Sequence, residues 1–171
     1  MKDWDFVGLA MADAARAPLL DSFFLAITWL GSLAVLLPLA VLIWWRSGDR
    51  NASFVVLALI SSSALVHVVK LIAARPRPDF FLPLIDMPQD ASFPSAHAMQ
   101  VTAFALAWLI QTGKSPALAE SFILLVVVTL VCISRLYLQV HFPSDVVVGV
   151  MFAALWVLFL RKLLAWRECK Q

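Results

Sequence analysis

The sequence predicts an all-α fold: a polytopic transmembrane helical bundle of five spans, six if the N-terminal segment also crosses, with an N-terminal helix lying in the membrane interface. Composition is the first reason. Of 171 residues, 63% are hydrophobic and 14% charged, and mean hydropathy is +0.91, whereas a soluble domain is about 45–50% apolar and about 25% charged. The second reason is the run Phe23 to Trp45, 23 residues without a charge, which at about 1.5 Å per residue crosses a hydrocarbon core of about 30 Å. The third is that comparable apolar runs recur, separated by short basic or proline-rich segments. With no internal repeat or linker, the chain reads as a single domain, 1–171.

Residues 1–20 set Trp4, Phe6, Val7, Leu9 and Met11 among Asp3, Asp5, Asp13 and Arg16, a pattern for a helix lying on the bilayer. No cleaved signal peptide is expected, because the basic stretch, short apolar core and cleavage site do not occur in sequence. The first span is Phe23–Trp45, with Pro38 as its expected kink and Trp44 and Trp45 at the interface. Arg46 to Asn51 turns the chain back, and a second span runs from Ala52 to Ala74, where Ser61, Ser62, Ser63 and Ala64 allow close approach of a neighbour. Five prolines between Pro76 and Pro94 forbid a helix over the next twenty or so residues, and a loop of that length usually has a function. The third span, Ala96–Gln111, and the fourth, Leu118–Ser134, are short, so their polar ends need shielding by protein. The fifth runs from Pro143, which a helix's first turn tolerates, to Leu160. Cys132 and Cys169 lie too far apart in this scheme to form a disulfide.

Loop charges orient the bundle. Arg46, Arg50, Lys114, Arg161, Lys162, Arg167 and Lys170 share one side; Lys2 and Arg16 lie on the other, once Arg75, Arg77 and Arg135 are set aside as belonging to polar motifs. Seven against two makes the basic side cytoplasmic and puts every polar motif on the outer face.

Those motifs carry the chemistry. Lys70, Arg77 and Arg135 are three cations at one end of an apolar bundle, where arginine offers forked donors and lysine a point charge to a doubly charged phosphate. Ser95 and the backbone N–H groups opening the third helix add donors. Any one cation alone could merely anchor the protein at head groups; three beside two histidines suit a cradle. Four residues separate His141 from Asp145. A carboxylate holding one ring N–H leaves the other nitrogen free, as a nucleophilic or general-base histidine requires, and His97 is then available as the proton donor. His67, outside any motif, reads as a hydrogen-bonded interior residue. No metal and no cofactor are expected, since ligand spacings such as His-x-x-x-His or Cys-x-x-Cys do not occur and nearby cations would repel a dication.

Lys70, six residues, Arg77-Pro78; Pro94-Ser95-Ala96-His97; and Ser134-Arg135, five residues, His141, three residues, Asp145 together resemble the type 2 phosphatidic acid phosphatase (PAP2) family. Its fold is shared with vanadium-dependent haloperoxidases, so the resemblance implies a PAP2/haloperoxidase-like core. It further implies that His141 attacks phosphorus to form a phosphohistidine, that Asp145 orients it, and that His97 protonates the departing oxygen. Lys70, Arg77, Ser95 and Arg135 would hold the phosphate oxygens. Ala96 departs from the family's usual glycine, which bears on the positioning of Ser95.

The implied activity is metal-independent hydrolysis of a lipid phosphate or diphosphate at the outer face of a bacterial cytoplasmic membrane. The partners are that lipid and the bilayer; no nucleic-acid partner is expected. Within the family, Asp90 to His97 looks most like the undecaprenyl diphosphate phosphatases, while phosphatidylglycerophosphate, phosphatidic acid and a lipid A phosphate are alternatives. Phe80, Phe81 and Leu82 beside the cradle suggest an apolar lip for the lipid tail. A lipid-phosphate binding or translocating protein would use the cations but not the His141–Asp145 pair. A vanadate-binding oxidase fits the cradle but not the membrane setting.

Overall fold

A computed structural model describes residues 3–47, 52–111, 116–168 and 170. The Arg50 and Lys114 charges, Lys2 and Cys169 lie outside the described residues. The helices are α1 (Asp3–Ala14), α2 (Pro18–Ile27), a 3-10 turn (Thr28–Gly31), α3 (Leu33–Ser47), α4 (Ser53–Ala73), α5 (Ala96–Gln111), α6 (Leu118–Tyr137) and α7 (Pro143–Glu168). Among the described residues, all regular structure is helical.

The short helix α5 is the axis of the bundle. It packs mainly on α7 and α4, then on α6 and α3, and ten of its residues are buried, among them Met99, Val101 and Phe104. Its 16 residues need no lipid-facing surface over their full length because neighbours supply the cover. Small residues bring those neighbours close. Gly149 on α7 faces the start of α5 so tightly that a Cβ there would meet the Ser95 carbonyl oxygen at 2.8 Å. On α4, Ser63 Oγ accepts from Gln100 Nε2 at 3.1 Å and Ser61 Oγ from Trp156 Nε1 at 3.0 Å.

Three helices, α4, α6 and α7, are long and apolar enough to cross a membrane, and a fourth span arises if the bent pair Pro18–Gly31 and Leu33–Ser47 counts as one. That bend corrects the continuous Phe23–Trp45 helix. The two halves meet at 50°, and the break falls at the 3-10 turn and Ser32, while Pro38 sits inside an unbroken α3. Ser32 is extended (ψ 136°), and its Oγ accepts the Ala34 N–H at 3.2 Å; Ser32 therefore caps α3 and fixes a fresh start there. Two further boundaries move. α6 runs on to Tyr137, and α7 continues through Arg161 and Lys162 to Glu168.

The N-terminal helix is more than an interfacial float. α1 packs on α6 and α7; it exposes Trp4, Val7 and Met11 yet buries Leu9 and the carboxylate Asp5. Gln139, in the left-handed region (φ 60°) between α6 and α7, donates from Nε2 to the Leu9 carbonyl at 2.9 Å.

Candidate active site

One end of the bundle gathers the C-terminal ends of α4 and α6, the N-terminal ends of α5 and α7, and the loop 74–95. Every sequence-predicted site residue lies there. α7 opens at Pro143 and Asp145 occupies its first turn, while His141 stands just before it in the connection from α6. Both are buried, at 2% and 0% exposure. His141 Nδ1 lies 3.5 Å from Asp145 Oδ2 and 3.5 Å from Ser92 Oγ, at the outer limit of a hydrogen bond. The opposite nitrogen, Nε2, faces Arg77 Nη1 at 3.4 Å. Burial pushes the His141 imidazole below its ordinary proton affinity, and Arg135 and Arg77 push the same way against the hydrogen bond and charge of Asp145. The ring is therefore neutral at pH 7, with Nε2 turned toward the cations.

Asp145 is held on every side. Its Oδ1 accepts from Arg75 Nη1 at 2.6 Å, and its Oδ2 accepts a short hydrogen bond from Ser92 Oγ and the Phe142 N–H at 3.0 Å. Its backbone carbonyl accepts the Ser95 N–H at 3.0 Å, which ties the start of α7 to the start of α5.

The cations divide into two kinds. Lys70 Nζ lies 2.9 Å from Asp90 Oδ2 and also donates to the Ala91 carbonyl. Arg77 Nη2 donates to Asp90 Oδ1 at 2.6 Å, its Nε to the Asp90 carbonyl at 3.0 Å and its Nη1 to the Val140 carbonyl at 2.7 Å. Asp90 thus bridges two cradle cations. Burial alone would raise its carboxyl, but hydrogen bonds and charge from Lys70 and Arg77 hold it down at about 2. Arg135 is different. It is 3% exposed, donates from Nη1 to Thr28 Oγ1 at 2.5 Å, and among the described residues faces no carboxylate at ion-pair distance. Its Nε and the Ser95 Oγ are buried with no hydrogen-bond partner. A buried polar atom left unpaired is costly and calls for an explanation. Both orphans belong to residues the sequence assigns to a phosphate cradle.

His97, in the first turn of α5, lies in the fields of Arg135, His141, Arg77 and Lys70. It is packed against Gly31, where a Cβ would come within 3.2 Å of its own Cβ and 3.3 Å of Cδ2. Among the described residues, no group of three or more His, Cys, Asp and Glu side chains is gathered as a metal site would need. His67 Nδ1 pairs with the Ser63 carbonyl at 2.7 Å, as an interior histidine does. Phe80 and Phe81 pack on Phe6 of α1, with centroids at 5.5 and 6.1 Å. With Leu82 and Arg77 they line a groove of about 440 Å³ beside the cradle.

Sequence reasoning passed over Asp5, Arg75, Asp90, Ser92, Ser144 and Thr28. Arg75 and Asp90 adjoin the motifs and were visible as charges; Asp5 and Thr28 enter from distant helices and gave no local signal.

Comparison with known proteins identifies the family. The PAP2 superfamily profile matches residues 51–169. The decaprenylphosphoryl-5-phosphoribose phosphatase of Mycobacterium tuberculosis is 39% identical over 53% of this chain and 49% of its own length, so the chain spans about half of that relative. The undecaprenyl-diphosphatase of Sulfolobus acidocaldarius is 30% identical over 71% of this chain and 58% of its own. The crystal structure of a transmembrane PAP2-type phosphatidylglycerolphosphate phosphatase from Bacillus subtilis superimposes with a TM-score of 0.78 at 31% identity, covering 95% of this chain and 85% of that one. Multi-pass membrane helices, three signatures at one end of the bundle, and matches in both sequence and shape converge: the chain belongs to the PAP2 superfamily.

Proposed function

We propose that the chain, acting as a single catalytic domain over residues 1–171, hydrolyses a lipid phosphate or diphosphate through a phosphohistidine on His141. Undecaprenyl diphosphate, cleaved to undecaprenyl phosphate and inorganic phosphate, is the preferred substrate. The observation that carries the reading is the pairing of a buried, neutral His141, backed by Asp145, with unpartnered donors on Arg135 and Ser95. The local likeness of Asp90 to His97 and the Sulfolobus diphosphatase relative favour the diphosphate; the Bacillus structure supports phosphatidylglycerophosphate as the alternative.

Each residue has a role in this scheme. His141 Nε2 attacks phosphorus as the bond to the leaving oxygen breaks, and His97, protonated once the bound phosphate offsets the cations around it, gives that oxygen a proton. Water, losing a proton to His97, then attacks the phosphohistidine; the P–N bond breaks and inorganic phosphate leaves. Lys70, Arg77, Arg135, Ser95 and the first N–H groups of α5 hold the oxygens on which charge develops. No metal or cofactor takes part, since the cradle's charge is cationic. The loop charges support an outer-face site on a bacterial cytoplasmic membrane.

The test is phosphate release in detergent, with EDTA, from undecaprenyl diphosphate, phosphatidylglycerophosphate and phosphatidic acid. Release is expected from wild type, fastest from the diphosphate, and absent in His141→Ala. Equal background release from both proteins with lipid binding intact would replace the enzyme by a binding or translocating protein.

A further inference from the structure

We propose that Asp5, on α1, is a positioning residue for this reaction: it fixes Arg75 and the first turn of α7, and through them the direction in which Asp145 presents its carboxylate to His141. The inference rests on the phosphohistidine reading and extends it to a helix outside residues 51–169, where the family profile matches.

The geometry is a relay of two carboxylates across one guanidinium. Asp5 is 1% exposed on a helix whose other face is open. Its Oδ1 accepts the Ser144 N–H at 2.9 Å; its Oδ2 accepts from Ser144 Oγ at 2.8 Å and Arg75 Nη2 at 2.9 Å. It therefore caps α7 from another helix, satisfying an N–H that the helix itself leaves unpaired. Arg75 Nη1 continues to Asp145 Oδ1 at 2.6 Å and Ser144 Oγ at 2.7 Å, and its guanidinium lies 4.0 Å over the Phe142 ring. With Oδ1 pinned by Arg75, it is Oδ2 that faces Ser92 and His141 Nδ1.

An anchor for α1 would not need this wiring. Buried Leu9 and the Gln139 bond to its carbonyl already fasten the helix, and a buried carboxylate is costly unless fully paired. What the charge adds is neutralisation. Asp5 offsets Arg75, leaving the negative charge of Asp145 effective at His141. The other charged groups facing His141 are Arg77 from the loop and Arg135 from α6, and the other titratable group is His97 on α5; none of them touches Asp5.

Opposite shifts in the pH profile follow. Replacing Asp5 leaves Arg75 uncompensated and lowers the proton affinity of His141, so the acid limb of kcat/KM moves to lower pH. Replacing Arg75 frees Asp145 and moves the same limb to higher pH. The experiment measures phosphate release by detergent-purified Asp5→Asn, Asp5→Glu, Arg75→Gln and Asp13→Asn, with melting temperature and gel filtration on each. Expected for Asp5→Asn is a kcat about ten- to a hundredfold down, the size typical of groups that orient a histidine ring, with KM within about threefold and the limb displaced downward. Asp5→Glu restores part of kcat, and Asp13→Asn, altering a half-buried pair with Arg16, matches wild type. Wild-type kcat in Asp5→Asn, or a loss explained by unfolded protein while the limb stays fixed in both Asp5 variants, would overturn the positioning role alone. A wild type no more active than His141→Ala would instead remove the catalytic reading beneath it.

Discussion

Arg75 and Arg77 stand two residues apart around Pro76, yet they attend to opposite sides of His141. Arg75 holds the carboxylate behind Nδ1, whereas Arg77 approaches Nε2. The sequence made Arg77 legible through its distance from Lys70; Arg75 had no such signature because its partner Asp5 lies 70 residues away. Asp90 is a second residue whose meaning needed coordinates. Held at about 2, its carboxyl is ionised at every working pH and, on the proposed reading, competes with phosphate for Lys70 and Arg77. Asp90→Asn should tighten product inhibition by inorganic phosphate roughly fivefold, the effect of about 1 kcal/mol expected from one charge at a solvent-exposed site; an unchanged or weaker inhibition constant would count against competition. His141 gives a pH prediction for stability. Its folded-state proton affinity lies below the unfolded value of about 6.5, so the unfolded chain binds more protons once pH falls below that. The melting temperature should hold above about pH 6.5 and decline beneath it, and His141→Gln should flatten that decline.

At the scale of elements, the span boundaries were legible where polar and turn residues interrupt apolar runs, as at Ala96 and Pro143. They were not legible inside Phe23–Trp45, because apolar continuity conceals a break whose only trace is Gly31-Ser32, a helix breaker followed by a cap. That break matters to the site: it brings Thr28 to Arg135 and Gly31 to His97. A tight junction of backbone against backbone is Gly149 against Ser95. A methyl group there meets backbone at 2.8 Å, so α5 and α7 must part, and Ser95 and Asp145 with them. Gly149→Ala should cost about 1–3 kcal/mol of stability and lower kcat more than it alters expression. A variant with wild-type melting temperature and turnover would show that the helices accommodate the methyl without separating.

For the whole molecule, the membrane class and the common end of the three motifs followed from composition and loop charge alone. How α1 closes over that end did not, since its packing depends on a buried carboxylate in a segment patterned for an interface. Its Phe6 also carries Phe80 and Phe81, and the groove they line beside Arg77 suits the first part of a lipid tail. Replacing both phenylalanines with serine should slow long-chain substrates more than short-chain ones; equal slowing of both would assign the pair to packing.

The buried guanidinium of Arg135 has a consequence for the catalytic cycle. Lys70, Arg75 and Arg77 are each matched by a carboxylate, whereas among the described residues Arg135 is not. On the hydrolase reading proposed above, a cation so placed would favour a resident anion between turnovers and make the cycle an exchange in which product phosphate departs as the next headgroup arrives. Raising free phosphate would then raise the apparent KM while leaving kcat intact, tying the enzyme's pace to the phosphate concentration of the compartment its site faces.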